Sequence, residues 1–441
     1  MSARSRNRWG GVLAPAAALA IATVGGATAE PVALTGATVH TVAQGTLENA
    51  TVVFDGERIV SVAAAAAAPA GARVIDCRGK HVWPGFIHSN TTLGLTEVSS
   101  VRGTNDFAEM GRVNPNIRAE VALNPESDLI PVARAGGITS ALIVPRGAAI
   151  TGTSALIRLD GWTYEDMTRR TPVALHVIWP AMGISRSFFE TRSEEEQKKE
   201  RDRAIQDVRQ AFEDARAYGT ARGAAGKPGV PRHDQDVKWD AMLKALRGEI
   251  PVLFHCTALN QMQAILKFVD EQELRNVGLV GGYDAWRVAD ELKRRNIAVI
   301  TGGTLELPAR GSDTYDASMS LPARLQAAGV RFCIADGGET GNARNLSQHA
   351  AMAAAFGLTR DQALRAVTLS AAEILGVGDR LGSIETGKLA DLVVGDGDPL
   401  EMTTHIEQVW IAGKPTSMEN RQTRLFQKYD QRPRGPQARP R

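Results

Sequence analysis

Three side chains that could do chemistry stand at or near the ends of apolar runs in the sequence. His255 ends the run over residues 252–254, Asp336 follows residues 332–335, and His176 lies within a third run. Imidazole and carboxylate groups transfer protons and bind cations. Each residue also has a structural explanation. Either histidine could be packed in the core or at its rim, and the aspartate could cap a helix or lie in a loop.

Polar side chains also end the strand predicted over residues 82–87. An apolar run after the Pro84-Gly85 turn leads into His88, Asn90 and Thr92. Alternate residues of a strand share a face, so these three side chains point the same way, with His88 one layer deeper. We predict that all three line a substrate pocket; for His88 the alternative is a packed interior layer.

The elements that must position these residues follow an alternating pattern. Apolar strand candidates separated by helical stretches occur at residues 82–87, 139–144, 155–159, 173–178, 252–255, 277–280, 298–300 and 331–335. About eight such strands over roughly 300 residues predict a (β/α)8 TIM barrel. A doubly wound sheet is the alternative, but the Gly-rich phosphate loop expected after its first strand is missing.

Short alternating strand patterns occur near both ends of the chain. They lie between residues 31 and 77, with a hairpin signal at Asp55-Gly56, and again at 390–394 and 406–411. They predict a composite β-sandwich domain built from both ends; two unrelated β caps are the alternative. The pattern predicts a signal peptide at residues 1–29, a β-sandwich from residues 30–80 and 386–425, a barrel at residues 81–385 and a disordered tail at residues 426–441.

Two features of the intervening chain are also predictable. Ser193 and Glu196 form a capping-box pattern that predicts a helix start. Residues 219–236 are rich in Gly and Pro and predict a loop or lid-like insertion.

Charge and cysteine content exclude several classes of protein. Lys plus Arg total 51 against 49 Asp plus Glu, so the net charge of +2 predicts no nucleic-acid partner and no membrane-binding surface. The three cysteines have neither zinc-ribbon nor disulfide-framework spacing. A small molecule is the predicted partner, and the sequence is compatible with a homo-oligomer.

The N-terminus has the pattern of a secretory signal peptide. Arg4, Arg6 and Arg8 precede an apolar run over residues 12–24, and an Ala-Thr-Ala cleavage pattern follows at residues 27–29. An uncleaved anchor or an Ala-rich tail is the alternative. We predict a secreted or periplasmic protein with no membrane attachment after cleavage.

Four stretches of the chain resemble one protein family. Residues 79–95, 251–255, 289–300 and 364–399 are similar to the amidohydrolase superfamily, in particular its imidazolonepropionase-like branch. The closing motif, Gly382-Ser383-Ile384-Glu385-Thr386-Gly387-Lys388-Leu389-Ala390-Asp391, is long and specific. The resemblance implies a metal-dependent hydrolase barrel capped by a composite β-sandwich.

The resemblance also implies roles for individual residues. His255 matches a metal ligand, Asp336 matches the residue that is both ligand and general base, and His176 matches a third ligand more loosely. As an alternative, His88 could complete a single-metal site with His255 and Asp336. Asn90 and Thr92 stand where the family has a His-x-His pair. A Gly-Gly pair at 281–282 stands where a further histidine is usual. The implied site is therefore reduced to one divalent ion, zinc by preference, because amide and hydroxyl groups do not replace imidazole for zinc.

Two functional hypotheses follow from this incomplete set. The first is an exported hydrolase that cleaves a non-peptide C–N bond of a small cyclic amide or peptide-like substrate through the reduced metal site. The second is a pseudoenzyme of the same fold that has no metal and binds a small molecule or a partner, because a fold does not determine function.

Overall fold

The computed structural model describes residues 30–225, 227–228, 234–338 and 340–432. The described strands are β1 (Val32–His40), β2 (Thr46–Asp55), β3 (Arg58–Ala64), β4 (Arg73–Asp76), β5 (His81–Pro84), β6 (Phe86–Thr91), β7 (Ile138–Ile143), β8 (Ile150–Thr153), β9 (Ala155–Arg158), β10 (Thr168–Arg170), β11 (Leu175–Ile178), β12 (Val252–Cys256), β13 (Val277–Gly281), β14 (Ala298–Thr301), β15 (Phe332–Ile334), β16 (Leu392–Gly395), β17 (Ile406–Ile411) and β18 (Lys414–Pro415). The described α-helices are α1 (Leu129–Ala135), α2 (Tyr164–Met167), α3 (Glu194–Ala224), α4 (Val237–Leu246), α5 (Leu259–Glu271), α6 (Ala289–Arg294), α7 (Ala317–Ala328), α8 (Leu346–Ala355), α9 (Arg360–Ala366), α10 (Leu369–Ile374) and α11 (Arg421–Asp430).

One sheet joins the two ends of the chain. Its order is β18-β17-β16-β5-β1-β2-β3, with β4 paired to β1. The junction is the antiparallel pair of β5 and β16, in which Trp83 lies opposite Val393. The hairpin predicted at Asp55-Gly56 is confirmed, because β2 and β3 pair across it. Both chain ends therefore share a sheet, while the β-sandwich form and the domain boundaries stay predictions.

The central strands form two separate ladders. One has the order β10-β9-β7-β6 and the other β15-β14-β13-β12-β11-β8. Strands β11 to β15 are parallel neighbours, as are β6 and β7, whereas β8 runs antiparallel to β11 and β9 antiparallel to β7. The fold is thus mixed α/β. Within the described residues the ladders do not close into a circle, so the eight-stranded barrel is not confirmed.

The strand predicted at residues 155–159 is correct in place but wrong in direction. It is β9, which forms an antiparallel pair with β7 instead of a parallel barrel strand. Six other candidates lie close to their predicted bounds, as β7, β11, β12, β13, β14 and β15, whereas the candidate at residues 82–87 is divided between β5 and β6. An apolar run fixes burial, but strand direction depends on the length of the connection, and here that connection contains β8.

Helix bounds differ from the predictions at two places. The capping box of Ser193 and Glu196 is confirmed as the start of α3. That helix continues to Ala224, so the predicted loop at residues 219–236 is helical in its first part. Residues 426–430, predicted as disordered tail, belong to α11. The predicted signal peptide and residues 433–441 lie outside the described residues, and none of the described helices combines the length and apolar character needed to cross a bilayer.

An aromatic cluster holds two helices against the strand that carries His255. The Phe268 ring of α5 lies 6.0 Å from the Phe254 ring of β12 and 5.4 Å from the Phe212 ring of α3, in edge-to-face arrangements. Trp179 packs against the same Phe268 ring at 5.3 Å. Buried aromatic pairs of this kind favour one geometry over others. These contacts hold the end of β12, where His255 stands, against α5 and, through α5, against α3.

Candidate active site

A cavity of about 580 Å³ opens at the carboxyl ends of the parallel strands. Among the side chains that line it are Asn90, Arg146, His255 and Asp336. The volume falls within the range of about 300–1,000 Å³ typical of small-molecule sites. Ligand sites of parallel α/β folds lie at this edge of the strands, so position and size agree.

Asp336 is a buried carboxylate held by its neighbours. The side chain is only 2% exposed, and its Oδ1 accepts a hydrogen bond of 2.6 Å from the Gly338 N–H. Its Oδ2 lies 3.1 Å from Nε2 of His88. Burial raises the pKa of Asp336, but the charge of His88, the Gly338 N–H and the charge of His349 outweigh burial and leave that pKa below its ordinary value. Asp336 is therefore ionised at neutral pH while it faces the cavity.

The three predicted pocket residues, two in β6 and one directly after it, lie in different surroundings. Asn90 lines the cavity, and its buried Oδ1 has no hydrogen-bond partner among the described atoms. His88 is fully buried beneath Asp336, where it supports the carboxylate and does not line the cavity. Thr92 is also buried, with its hydroxyl against that of Thr340. Of the three residues, Asn90 lines the cavity, whereas His88 and Thr92 are packed in the interior and do not line it; a substrate role for Asn90 stays a prediction.

His176 and His255 form a directly bonded pair. Nδ1 of His176 lies 2.8 Å from Nε2 of His255, so one ring donates and the other accepts. Burial lowers the pKa of His255 to about 3, with the nearby charge of Arg146 as the second cause. Burial, His255 and Arg146 lower the pKa of His176 well below its usual range. Both rings are therefore neutral, and at this contact their nitrogen atoms face each other.

Arg146 also lines the cavity, although its sequence position alone does not single it out. Its half-buried side chain lines the cavity together with His255 and Asp336. The guanidinium lies against Gly338, where a Cβ atom would stand 2.6 Å from Nη2. The available signal was position, because Pro145-Arg146-Gly147 directly follows the strand predicted over residues 139–144.

An ion pair between Arg310 and a buried carboxylate secures the loop over residues 302–316 beside the cavity. Asp284 is fully buried and accepts two hydrogen bonds from Arg310, of 2.6 and 2.7 Å. The Tyr283 hydroxyl donates to Asp313 at 2.9 Å in the same loop. Glu306, Leu307 and Ala309 from this loop line the cavity. A bidentate Arg–carboxylate contact fixes geometry well, so this wall of the cavity is held in place.

The Gly281-Gly282 pair has a backbone explanation. Gly281 has a φ of +95°, and a Cβ atom there would lie 2.6 Å from the Cys256 carbonyl oxygen. Gly282 follows with a φ of +60°. Left-handed backbone in contact with a neighbouring strand requires glycine. The pair therefore shapes the turn after β13, whatever ligand another protein presents there.

The side chains at the cavity do not fit a zinc site. Zinc needs three protein ligands and an open position in a catalytic site. Among the described residues no three His, Cys, Asp or Glu side chains come together as a metal would require. His176 and His255 are hydrogen-bonded to each other, and the Asp336 carboxylate is paired with His88. The predicted ligand set of His176, His255 and Asp336 is therefore not assembled.

Comparisons with known proteins agree on one family. Residues 135–417 match the amidohydrolase family. Amidohydrolase tasK from Hapsidospora irregularis is 28% identical over 369 residues, which cover 78% of this chain but only 37% of that protein. Imidazolonepropionase from Sphingopyxis alaskensis is 26% identical over 399 residues, covering 82% of this chain and 90% of that protein. The crystal structure of an amidohydrolase from Thermotoga maritima MSB8 has a TM-score of 0.79 at 25% identity, covering 88% of this chain and 99% of that one.

Proposed function

This chain belongs to the amidohydrolase family, hydrolases that act on C–N bonds, and we propose that it hydrolyses a non-peptide C–N bond of a small cyclic amide or peptide-like substrate in the cavity beside Asp336. The observation that carries the proposal is the ionised, buried carboxylate facing a cavity of about 580 Å³. A carboxylate in that position takes a proton from water and later gives it to the leaving nitrogen.

The remaining cavity residues supply binding and shape. Asn90 offers an amide oxygen without a partner, which suits an N–H group of the substrate or the attacking water. Trp179 and Leu307 add apolar surface that suits a small ring. His88 contacts the Asp336 carboxylate on the side away from the cavity and lowers its pKa.

The family resemblance implies a metal-dependent hydrolase. One divalent ion, with His255, Asp336 and His176 as ligands, is what the resemblance predicts for this chain. Because the donor set does not fit, the proposed reaction uses only side chains of the chain.

We also propose that the protein is exported. The support is the Arg-rich start, the apolar run and the Ala-Thr-Ala pattern before Glu30. N-terminal sequencing of protein recovered from the periplasm or medium should begin at Glu30, and a product that retains its first residues would contradict export by cleavage.

A binding protein is the second candidate function. The specific observation in its favour is that the described residues contain no three-ligand metal group, although the family resemblance implies a metal ion. The cavity would then hold a small molecule without turning it over.

The two candidates separate in one experiment. The mature protein is incubated with a panel of hydantoins, lactams and N-acyl amino acids, and products are identified by mass spectrometry. Hydrolysis by the wild type that falls at least about 100-fold in Asp336→Asn supports the enzyme, since loss of a general base costs this much. His405→Gln, which changes an exposed histidine, is the control. Binding detected by calorimetry with no product would favour the binding protein.

A further inference from the structure

The cavity contains a cation that belongs to the chain itself. Arg146 stands on a loop whose position is fixed, because its backbone N–H donates to the Phe107 carbonyl at 2.7 Å and it bridges to Ala108. The residue lines the cavity wall that also contains His255 and Asp336. The side chain therefore brings a permanent positive charge to the carboxyl ends of the strands.

The surroundings make room for that charge. Gly338, two residues after Asp336, has a φ of +86° and lacks the Cβ atom that would stand 2.6 Å from Arg146 Nη2. His176 and His255 lie beside the guanidinium and are hydrogen-bonded to each other at 2.8 Å, so these two nitrogen atoms face each other. Arg146 therefore lines one open cavity together with the carboxylates of Asp336 and Glu306.

We propose that the Arg146 guanidinium takes the place of the divalent ion and stabilises the substrate carbonyl oxygen as it becomes negative. This inference rests on the hydrolysis proposed above. It accounts for two observations together, the unassembled ligand set and the cation found among the residues that were predicted to form it.

The reaction balances with the groups present. Asp336 removes a proton from water, and the water oxygen forms a bond to the carbonyl carbon while the carbonyl π electrons move to oxygen. The resulting oxyanion accepts hydrogen bonds from the Arg146 guanidinium, which are strong because both partners are charged. When the oxyanion collapses, the C–N bond breaks and the proton on Asp336 moves to the leaving nitrogen. The products are a carboxylic acid and an amine, with no oxidant or other reactant needed.

The first test needs no substrate. Metal content is measured in freshly purified wild type, Arg146→Met and His255→Ala, and zinc is titrated into each by calorimetry. We expect well under one metal ion per chain in the wild type and no zinc-dependent rise in its Tm. Near-stoichiometric metal in the wild type that is lost in His255→Ala would overturn the proposal.

The second test uses any substrate that the wild type hydrolyses. Arg146→Met should lower kcat by about 10²–10³-fold with a smaller change in KM, as loss of an oxyanion donor does. Arg146→Lys should recover part of kcat, because it keeps the charge but loses the planar fork. Arg247→Met, a half-exposed arginine paired with Glu249, is the matched control.

Each outcome bears on a different statement. A wild type whose activity is abolished by a chelator, or an Arg146→Met variant with unchanged kcat, would refute the role of Arg146. A wild type that hydrolyses nothing in the panel would refute the proposed function. The zinc titration would still show whether a metal ion binds beside Arg146, and such binding would overturn the proposal that Arg146 replaces the ion.

Discussion

Acidification should destabilise the protein through His255, because the folded state keeps this imidazole neutral. Its pKa is lowered from 6.5 to about 3, mainly by burial. Below about pH 6.5 the unfolded chain binds a proton at His255 that the folded chain does not bind. The free energy of unfolding therefore decreases as pH falls from about 6.5 toward about 3. Stability from this group is complete above that window and is lost within it.

The size of the effect follows from the same shift. At about pH 5 the pKa of the unfolded imidazole, 6.5, is about 1.5 units above the solution pH. At about 1.4 kcal/mol per unit, protonation of the unfolded chain lowers the free energy of unfolding by about 2 kcal/mol. Asp336 adds nothing in this range, because its ordinary value of 3.8 and its lowered value both lie below it.

Urea unfolding of wild type and His255→Gln at about pH 7 and about pH 5 measures this contribution. Between the two conditions the wild type should lose about 2 kcal/mol more than the variant, which has no imidazole to titrate. His405→Gln removes an exposed histidine and serves as the control. Equal losses in wild type and His255→Gln, or an NMR titration of His255 near its ordinary value, would refute the reasoning.

Other substitutions test the cavity and the sheet that joins the chain ends. Gly338→Ala adds a Cβ atom at a φ of +86° and 2.6 Å from Arg146 Nη2, so it should cost about 1–3 kcal/mol and lower kcat at least about tenfold, checked by urea unfolding and kinetics. Asp284→Ala removes the buried partner of the partly exposed Arg310 and should cost about 2–3 kcal/mol; faster limited proteolysis near Leu307 would report loss of the loop contact. Trp410→Ala empties a buried site between strands of the joined sheet and should cost about 3–5 kcal/mol in the same unfolding assay. Unchanged unfolding midpoints in these variants would contradict the packing described.

The sequence predicted strand positions better than strand directions. Apolar runs located β12 to β15, since burial on both faces produces continuous runs of Val, Ile and Leu. The same kind of run at residues 155–159 belongs to an antiparallel strand. Direction is set by how the connection folds back, and the apolar pattern contains no information about that.

The site was predictable in its residues and less so in their partners. Asp336 and Asn90 reach the cavity because strand ends deliver side chains there. Sequence could not show that His88 would pair with Asp336, or that His176 and His255 would bond to each other, because both contacts join different strands. Arg146 was overlooked because a single arginine after a strand resembles any solvated loop residue. The Gly281-Gly282 pair stands where the family usually has a histidine, and the sequence does not show that the left-handed backbone at these positions requires glycine.

The pairing of β5 with β16 has a consequence for synthesis of the chain. His81 and Gly395 are neighbours in the sheet although most of the sequence separates them. Contacts of such long sequence separation form late, because a large loop must close first. Until the C-terminal strands emerge from the ribosome, β5 presents one unpaired edge that another nascent chain can bind. A message truncated before codon 392 should therefore yield aggregated polypeptide even if the central strands remain intact, and full-length chains should depend on a chaperone that shields this edge during translation.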